Sequence, residues 1–239
     1  MPATEIVTCP LAPGSNPGDP SNPAATVLKE VGQKLLTTEG LVKIRFGMQV
    51  EKPEVLWMMI GTLYLTSRAS RWFCGVEKVA DDFADWESVD KHKEFMNSEA
   101  YGPFLKQFLS IAAGPPTIVH TDFTPHGALE TVLAAPVTEV VTCYFDSSPP
   151  SDYIPKASSF LEQGKDVEGY KGGAVGTTYE EMEKDGVKGK GAVLAIGWES
   201  VQKHMEFRET EAFKENIGLL RQGAKGIEMG HVQFMEFLG

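Results

Sequence analysis

An α+β fold built from two ferredoxin-like β-α-β-β-α-β repeats, packed sheet to sheet within one chain, is predicted by three observations: an internal duplication, the order of periodicities in each copy, and the composition. The duplication is plainest at 86–100 (Trp-Glu-Ser-Val-Asp-Lys-His-Lys-Glu-Phe-Met-Asn-Ser-Glu-Ala). This segment returns at 198–212 (Trp-Glu-Ser-Val-Gln-Lys-His-Met-Glu-Phe-Arg-Glu-Thr-Glu-Ala) with ten identities in fifteen positions, where unrelated sequence would give about one. Thr-Glu-Ile-Val-Thr-Cys at 4–9 likewise recurs as Thr-Glu-Val-Val-Thr-Cys at 138–143, and 39–47 aligns with 168–176. The copies span 4–125 and 136–237, each of ordinary domain size. With 42% hydrophobic and 23% charged residues the chain can fill a core and cover it.

Each element has its own signal. In the second copy, 138–145 is β-branched and reads as a strand. The next segment, 155–165, is expected to be helical, with Ile154, Ala157, Phe160 and Leu161 at helical spacing behind the breaker Ser-Ser-Pro-Pro. Segments 170–179 and 192–198 read as antiparallel strands, and the Glu-, Lys- and Gly-rich stretch 180–190 as the solvated loop between them. Over 199–220, Val201, His204, Phe207, Phe213, Ile217 and Leu220 fall mostly on one side of a helix that breaks near Glu209-Thr210, and 227–237 closes the unit as a strand. The first copy repeats the order at 6–11, 24–36, 41–50, 55–61, 87–109 and 117–123. In such a split β-α-β unit two helices cover one sheet face and leave the other apolar, so the second copy supplies the sheet that buries it. The stretch 124–136 has a proline near each end and no sustained period, and reads as a short connector.

The formal charge of −11 argues against a nucleic-acid surface, which needs clustered Lys and Arg. No apolar run approaches the ~20 residues of a membrane span, and the N-terminus lacks a secretory pattern, so a cytosolic protein with a small hydrophobic or aromatic partner is expected. Cys9, Cys74 and Cys143 read as buried free thiols. The five histidines form no Cys/His cluster or i,i+4 pair, and no phosphate loop follows a strand; neither a metal nor a nucleotide cofactor is expected.

One insertion breaks the symmetry. Aligning Met59-Ile60-Gly61 with Ala195-Ile196-Gly197 leaves Trp198 directly after Gly197 but displaces Trp86 by 24 residues, 62–85. Three readings stand open: a lid whose Trp72, Phe73, Arg68 and Arg71 close over a ligand, a surface excursion without a role, or a retained intron in the gene.

The candidate chemistry lies in the repeated histidines. His92 and His204 hold equivalent places on the second helix, between Val89 and Phe95 and between Val201 and Phe207, so both imidazoles point toward the sheet. Either they satisfy a core hydrogen bond or they move protons near neutrality. His120 and His231 correspond on the last strand, each three residues before a phenylalanine, and complete the candidate catalytic set; His126 reads as solvated. Strand two of the first copy, Val-Lys-Ile-Arg-Phe at 42–46, corresponds to Lys-Gly-Gly-Ala-Val at 171–175. Small residues there thin the sheet, so the second half is expected to hold the better pocket, lined by Tyr170, Gly173, His204, Phe213 and His231, unless Tyr153, Lys156 or Tyr170 fills the gap. Three further ligand candidates each have a plainer alternative: Trp57 with Met58 and Met59 as a soft wall or as core filler, Arg45 as an anion anchor or a snorkelling surface residue, and Tyr101 as a phenolic donor or as packing.

Trp-Glu-Ser-Val-x-x-His before a helix, Ser/Thr-Glu-Ala-Tyr/Phe after it and Thr-Asp-Phe-Thr-Pro at the end of a half resemble the dimeric α/β-barrel superfamily. Within it the chain is most similar to fungal tandem proteins of the antibiotic-biosynthesis-monooxygenase and stress-responsive branch. The resemblance covers both repeats and implies an intrachain pseudo-dimeric barrel, with further homodimerisation open. For function it implies a range: cofactor-free quinone-forming monooxygenases, polyketide cyclases, isomerases and proteins without a known reaction. Positions matching the histidine and tyrosine of olivetolic acid cyclase-like proteins are Tyr101 and Phe95 in one half and Phe213 and Phe207 in the other, so that mechanism's residues are missing. A haem-degrading role would want an axial histidine beside a wide cleft. The leading expectation is a cofactor-independent enzyme acting on an aromatic or polyketide-like molecule by acid/base chemistry; the alternative is a non-catalytic binding or stress-response barrel.

Overall fold

The structure, a computed structural model, describes residues 3–38, 41, 43–61 and 89–237. The insertion 62–85 with Cys74, and Trp86 after it, lie outside the described residues. The first half runs β1 (Thr4–Pro10), α1 (Pro23–Leu36), β2 (Ile44–Met48), β3 (Val55–Ile60), α2 (Val89–Met96), α3 (Tyr101–Leu109) and β4 (Thr117–Thr121). A helix α4 (Ala128–Leu133) leads into β5 (Val137–Tyr144), α5 (Tyr153–Gln163), β6 (Tyr170–Lys184) and β7 (Val187–Trp198). Three short helices, α6 (Val201–Arg208), α7 (Glu211–Asn216) and α8 (Gly218–Arg221), precede β8 (Gly226–Val232) and β9 (Met235–Glu236).

The described strands form one antiparallel sheet in the order β8-β5-β7-β6-β4-β1-β3-β2-β9, so each half has its last strand beside its first and its third strand between first and second. The halves meet at two seams. At one, Thr121 pairs with Thr178, and Thr124 and Val175 exchange backbone hydrogen bonds at 2.8 and 2.9 Å. At the other, Gln49 bridges Val232 and Val50 N–H donates to His231 O at 2.8 Å, which curls the sheet closed. Closure leaves few unpaired strand edges and creates an inside and an outside.

Alternation then sorts the side chains into three cores. Val7, Cys9, Leu56 and Ile60 meet α1 and α3 through Leu28, Val31, Leu35 and Phe108 on the outer face of the first half. Val141, Cys143, Leu194 and Trp198 meet α5, α6 and α8 through Phe160, Leu161, Phe207 and Leu220 on the outer face of the second. Ile6, Met59, Val119, Val140, Val193 and Ala195 fill the lumen. The helices start where the sequence supplies caps: Asn22 accepts from Ala24 N–H at 3.0 Å with Pro23 following, and Ser200 accepts from Lys203 N–H at 3.1 Å. The Ser200 cap explains part of the repeated Trp-Glu-Ser-Val: the chain leaves β7 at Trp198 and begins α6 three residues later.

Four expectations are corrected. The connector is not featureless: α4 inserts Leu129, Val132 and Leu133 into the lumen core, and Thr138 Oγ1 donates to Val132 O at 2.9 Å. Each such burial stabilises by roughly 1.5–3 kcal/mol. Stretch 180–190 is ladder rather than loop, with β6 and β7 paired out to Lys184 and Val187 around Asp185 (φ 50°) and Gly186 (φ 81°), the two left-handed residues of a tight hairpin turn. The last strand stops at Val232, and β9 crosses to pair with β2. Arg45 is not a snorkelling surface residue: it is 6% exposed, with Nη2 at 2.7 Å from Glu130 on α4 and 3.7 Å from Glu236 on β9.

Candidate functional site

Glu139 lies on β5, in register with His231 on β8, and alternation places it with Val141 and Cys143 on the helix-covered face. His204 reaches the same point from α6, one turn after its Ser200 cap. The three are buried. His204 Nδ1 is 2.7 Å from His231 Nε2, and His204 Nε2 is 3.3 Å from Glu139 Oε2. Trp198 stacks on His204 with ring centroids 5.1 Å apart and donates its Nε1–H to Glu139 Oε2 at 3.0 Å.

The fourth member comes from the other half. Glu51, just beyond β2, accepts the ring Nδ1–H of His231, and its Oε2 accepts the His231 backbone N–H at 3.0 Å. An equivalent row exists at the opposite seam. Glu180 on β6 accepts from His120 N–H at 2.7 Å and lies 2.8 Å from His120 Nδ1. His120 Nε2 is 2.9 Å from His92 Nδ1, and Glu5 Oε2 lies 3.7 Å from that same His92 nitrogen. The structure thus joins all four candidate histidines in two pairs, each between a carboxylate of its own half and one from its neighbour. Glu5, Glu51, Glu139 and Glu180 were not singled out from the sequence. Their signal is an acid repeated inside a β-branched strand (Glu5, Glu139) and an acid four residues beyond an aligned glycine (Gly47 and Glu51, Gly176 and Glu180).

Glu139 and His204 open onto a cavity of about 370 Å³ between the second half's sheet and helices. Cys143, Phe160, Ile196, Phe207, Phe213 and Leu220 make its wall, while Arg208, Arg221, Ile227 and Met229 stand toward solvent. Burial pushes the Glu139 carboxyl up to about 7, against the lowering effects of the Trp198 hydrogen bond and the Arg208 charge; the Glu51 charge adds to the rise. Burial pulls His204 down to about 3, helped by His231 and Arg208 and opposed by Glu51. In the first half burial likewise pulls His92 down to about 4, with His120 adding to the fall and Glu180 opposing it. Burial works to raise Glu51, but the His231 ring and backbone hydrogen bonds outweigh it and hold the carboxyl below its ordinary value. The cavity therefore has a neutral imidazole beside a carboxyl that changes charge near neutrality, a combination suited to taking up and returning a proton.

Of the other candidates, Phe213 lines this cavity. Tyr170 and Gly173 do not: Tyr170 Oη donates to Leu161 O at 2.9 Å, and a Cβ at Gly173 would lie 2.6 Å from Leu161 Cδ2 and 2.7 Å from Tyr170 Oη. The thin strand is where α5 and Tyr170 pack close, so the gap expected over 171–175 is filled. His231 stands behind His204, away from the cavity lining. Tyr101 packs edge-on against Phe95 with centroids 5.5 Å apart. Trp57 faces the lumen, where its Nε1–H donates to Gln49 Oε1 at 3.3 Å beside a separate cavity of about 410 Å³. Arg45 is committed to Glu130. His126 is exposed, 3.5 Å from Asp122. Sequence spacing gave no metal pattern, yet Glu5, His92 and His120 converge with ligand-type atoms within 4.8 Å of one another.

No helix among the described residues is long and apolar enough to cross a membrane. No protein-family model and no curated protein matches the sequence. Solved structures do match in fold. An anthrone oxidase-like protein aligns over 100% of this chain and 94% of its own at a TM-score of 0.64 and 14% identity. A candidate monooxygenase from Fusobacterium nucleatum aligns over 98% and 92% at 0.54 and 11%. A candidate chlorite dismutase aligns over 97% and 95% at 0.51 and 12%. At these identities the likeness is one of fold: a curled antiparallel sheet with helices packed on its outer faces, matched over nearly the whole chain.

Proposed function

We propose that this protein is a cofactor-independent enzyme that removes a proton from an aromatic or polyketide-like carbon acid in the cavity of its second half. The observation that carries this reading is the buried Glu139 carboxyl, held near neutrality at the floor of an apolar cavity beside neutral His204. Glu139 is the base. Trp198 Nε1–H and His204 fix its orientation, Phe160, Phe207 and Phe213 offer faces for a flat ring, and Arg208 supplies positive charge as the substrate becomes an enolate. An enolate of an anthrone-like substrate reduces dioxygen directly: the carbon–oxygen bond forms, the hydroperoxide loses water, and the ring carbon leaves as a ketone. An enolate with a carbonyl within reach closes a ring instead. The resemblance in fold to a protein described as anthrone oxidase-like supports the first course.

The test is incubation of purified protein with an anthrone while dioxygen and quinone are followed. One dioxygen consumed per quinone formed, slowed by roughly 10²–10⁴-fold in Glu139→Gln, is expected. Absence of both turnover and saturable binding of anthrones or phenolic polyketide mimics would end the reading.

A further inference from the structure

Each buried histidine pair lies between an inner carboxylate of its own half and an outer carboxylate of the other, so the inner end faces the protein interior and the outer end faces a seam. In the second half the side chains follow one another from seam to cavity: Glu51 to His231 Nδ1 and His231 Nε2 to His204 Nδ1 at 2.7 Å are hydrogen bonds, and His204 Nε2 stands 3.3 Å from Glu139 Oε2 as a close approach of ion-pair range. Glu51 is 42% exposed at its side chain, whereas Glu139 is 9% exposed. The row therefore links the cavity floor to water at the seam.

Tautomer logic fixes where its protons sit. The Glu51 carboxylate also accepts the His231 backbone N–H at 3.0 Å, so it is an acceptor and His231 Nδ1 carries hydrogen. His231 Nε2 is then a lone pair and accepts from His204 Nδ1–H, which leaves His204 Nε2 as a lone pair facing Glu139. Three gaps hold three protons, the third on Glu139. Removing one leaves two lone pairs opposed across a short buried contact, a physical reason for Glu139 to keep its proton that is separate from burial.

We infer that Glu51, His231 and His204 form a proton conduit, completed across the seam by the first half, through which the Glu139 carboxyl exchanges protons with solvent while the cavity stays occupied. One concerted shift moves three hydrogens: Glu139 Oε2 to His204 Nε2, His204 Nδ1 to His231 Nε2, and His231 Nδ1 to Glu51 Oε1. Glu139 is then a carboxylate and Glu51 a neutral acid. Glu139 takes a proton from the substrate while Glu51 gives one to water; when Glu139 returns its proton to the product, Glu51 takes one back from water, and the reverse shift restores the starting tautomers. This inference deepens the reading of the cavity as an acid/base site. Glu51 and His231 are positioning residues that act through His204.

The test reads Glu139 without substrate, so it stands apart from whether any reaction occurs. In the full chain, the Glu139 carboxyl band is followed against pH by infrared difference spectroscopy, with Glu139→Gln identifying the band. Four groups act on Glu139: the Trp198 hydrogen bond, the Arg208 and Glu51 charges, and neutral His204. Glu51→Gln removes the outer charge and is expected to lower the Glu139 midpoint by about one pH unit, a tenfold change in ionisation. Glu180→Gln, at the other seam, is expected to leave it in place. Nitrogen-15 spectra of the unaltered protein are expected to show His204 and His231 both with hydrogen on Nδ1. An unmoved midpoint in a folded Glu51→Gln, or His204 found as the Nε2–H tautomer at acidic to neutral pH, overturns the conduit.

Discussion

The two Glu-His-His-Glu rows use corresponding residues from corresponding strands and helices, yet they differ at one end. In the second half the inner carboxylate meets the far nitrogen of the helix histidine, with Glu139 at 3.3 Å from His204 Nε2. In the first, Glu5 lies 3.7 Å from His92 Nδ1, the nitrogen already engaged with His120. The outer three members superimpose in logic and the innermost does not. Among the described residues both copies thus keep the seam chemistry, while the approach of the inner acid falls on the far nitrogen of the helix histidine in the second copy and on the shared nitrogen in the first.

The largest expected break in this comparison is catalytic. Glu139→Gln should slow proton abstraction from an anthrone by roughly 10²–10⁴-fold, while Glu5→Gln leaves the rate within the same order of magnitude; equal losses would make the halves equivalent.

Next comes stability against pH. Glu139 is raised from 4.5 to about 7 in the folded chain, so below pH 4.5 both folded and unfolded forms are protonated. As pH rises through that window the unfolded chain ionises and the folded one does not, and stability falls by about 3 kcal/mol. Urea titrations across the window should show the decline in the wild type and in Glu5→Gln, and its absence in Glu139→Gln.

A somewhat smaller effect tests the joint between halves. Arg45→Met leaves Glu130 on α4 without the 2.7 Å contact and should cost about 2–3 kcal/mol in chemical denaturation. Smallest is the contrast of matched aromatics. Phe213→Ala should weaken binding of a flat aromatic ligand about tenfold by removing apolar wall. Tyr101→Phe, its counterpart, should change neither that affinity nor stability beyond about 0.5 kcal/mol; calorimetry reads both.

How much of this could be read from the chain alone follows from where each signal resides. The fold was readable because duplication repeats local patterns, and strands and helices are local objects. The repeated histidines stood out for the same reason. The partners of those histidines did not, because Glu51 meets His231 across 180 positions and Glu180 meets His120 across 60, and no spacing rule spans a seam between two halves. α4 escaped notice because Leu129, Val132 and Leu133 make a single i,i+3,i+4 set, too short to establish a period between Pro125 and Pro136. The glycine at 173 misled by its size: a missing side chain reads equally as room for a guest or as close approach of a neighbour, and Leu161 and Tyr170 show the second.

Reciprocal carboxylates across the seams have a further consequence. Glu51 serves the second half and Glu180 the first, so hinging that parts the halves strips both histidine pairs of their outer anion at once. Covalent fusion of the two units fixes their ratio at one to one and keeps those crossed contacts at high effective concentration, where separate subunits would rely on dilution-sensitive pairing.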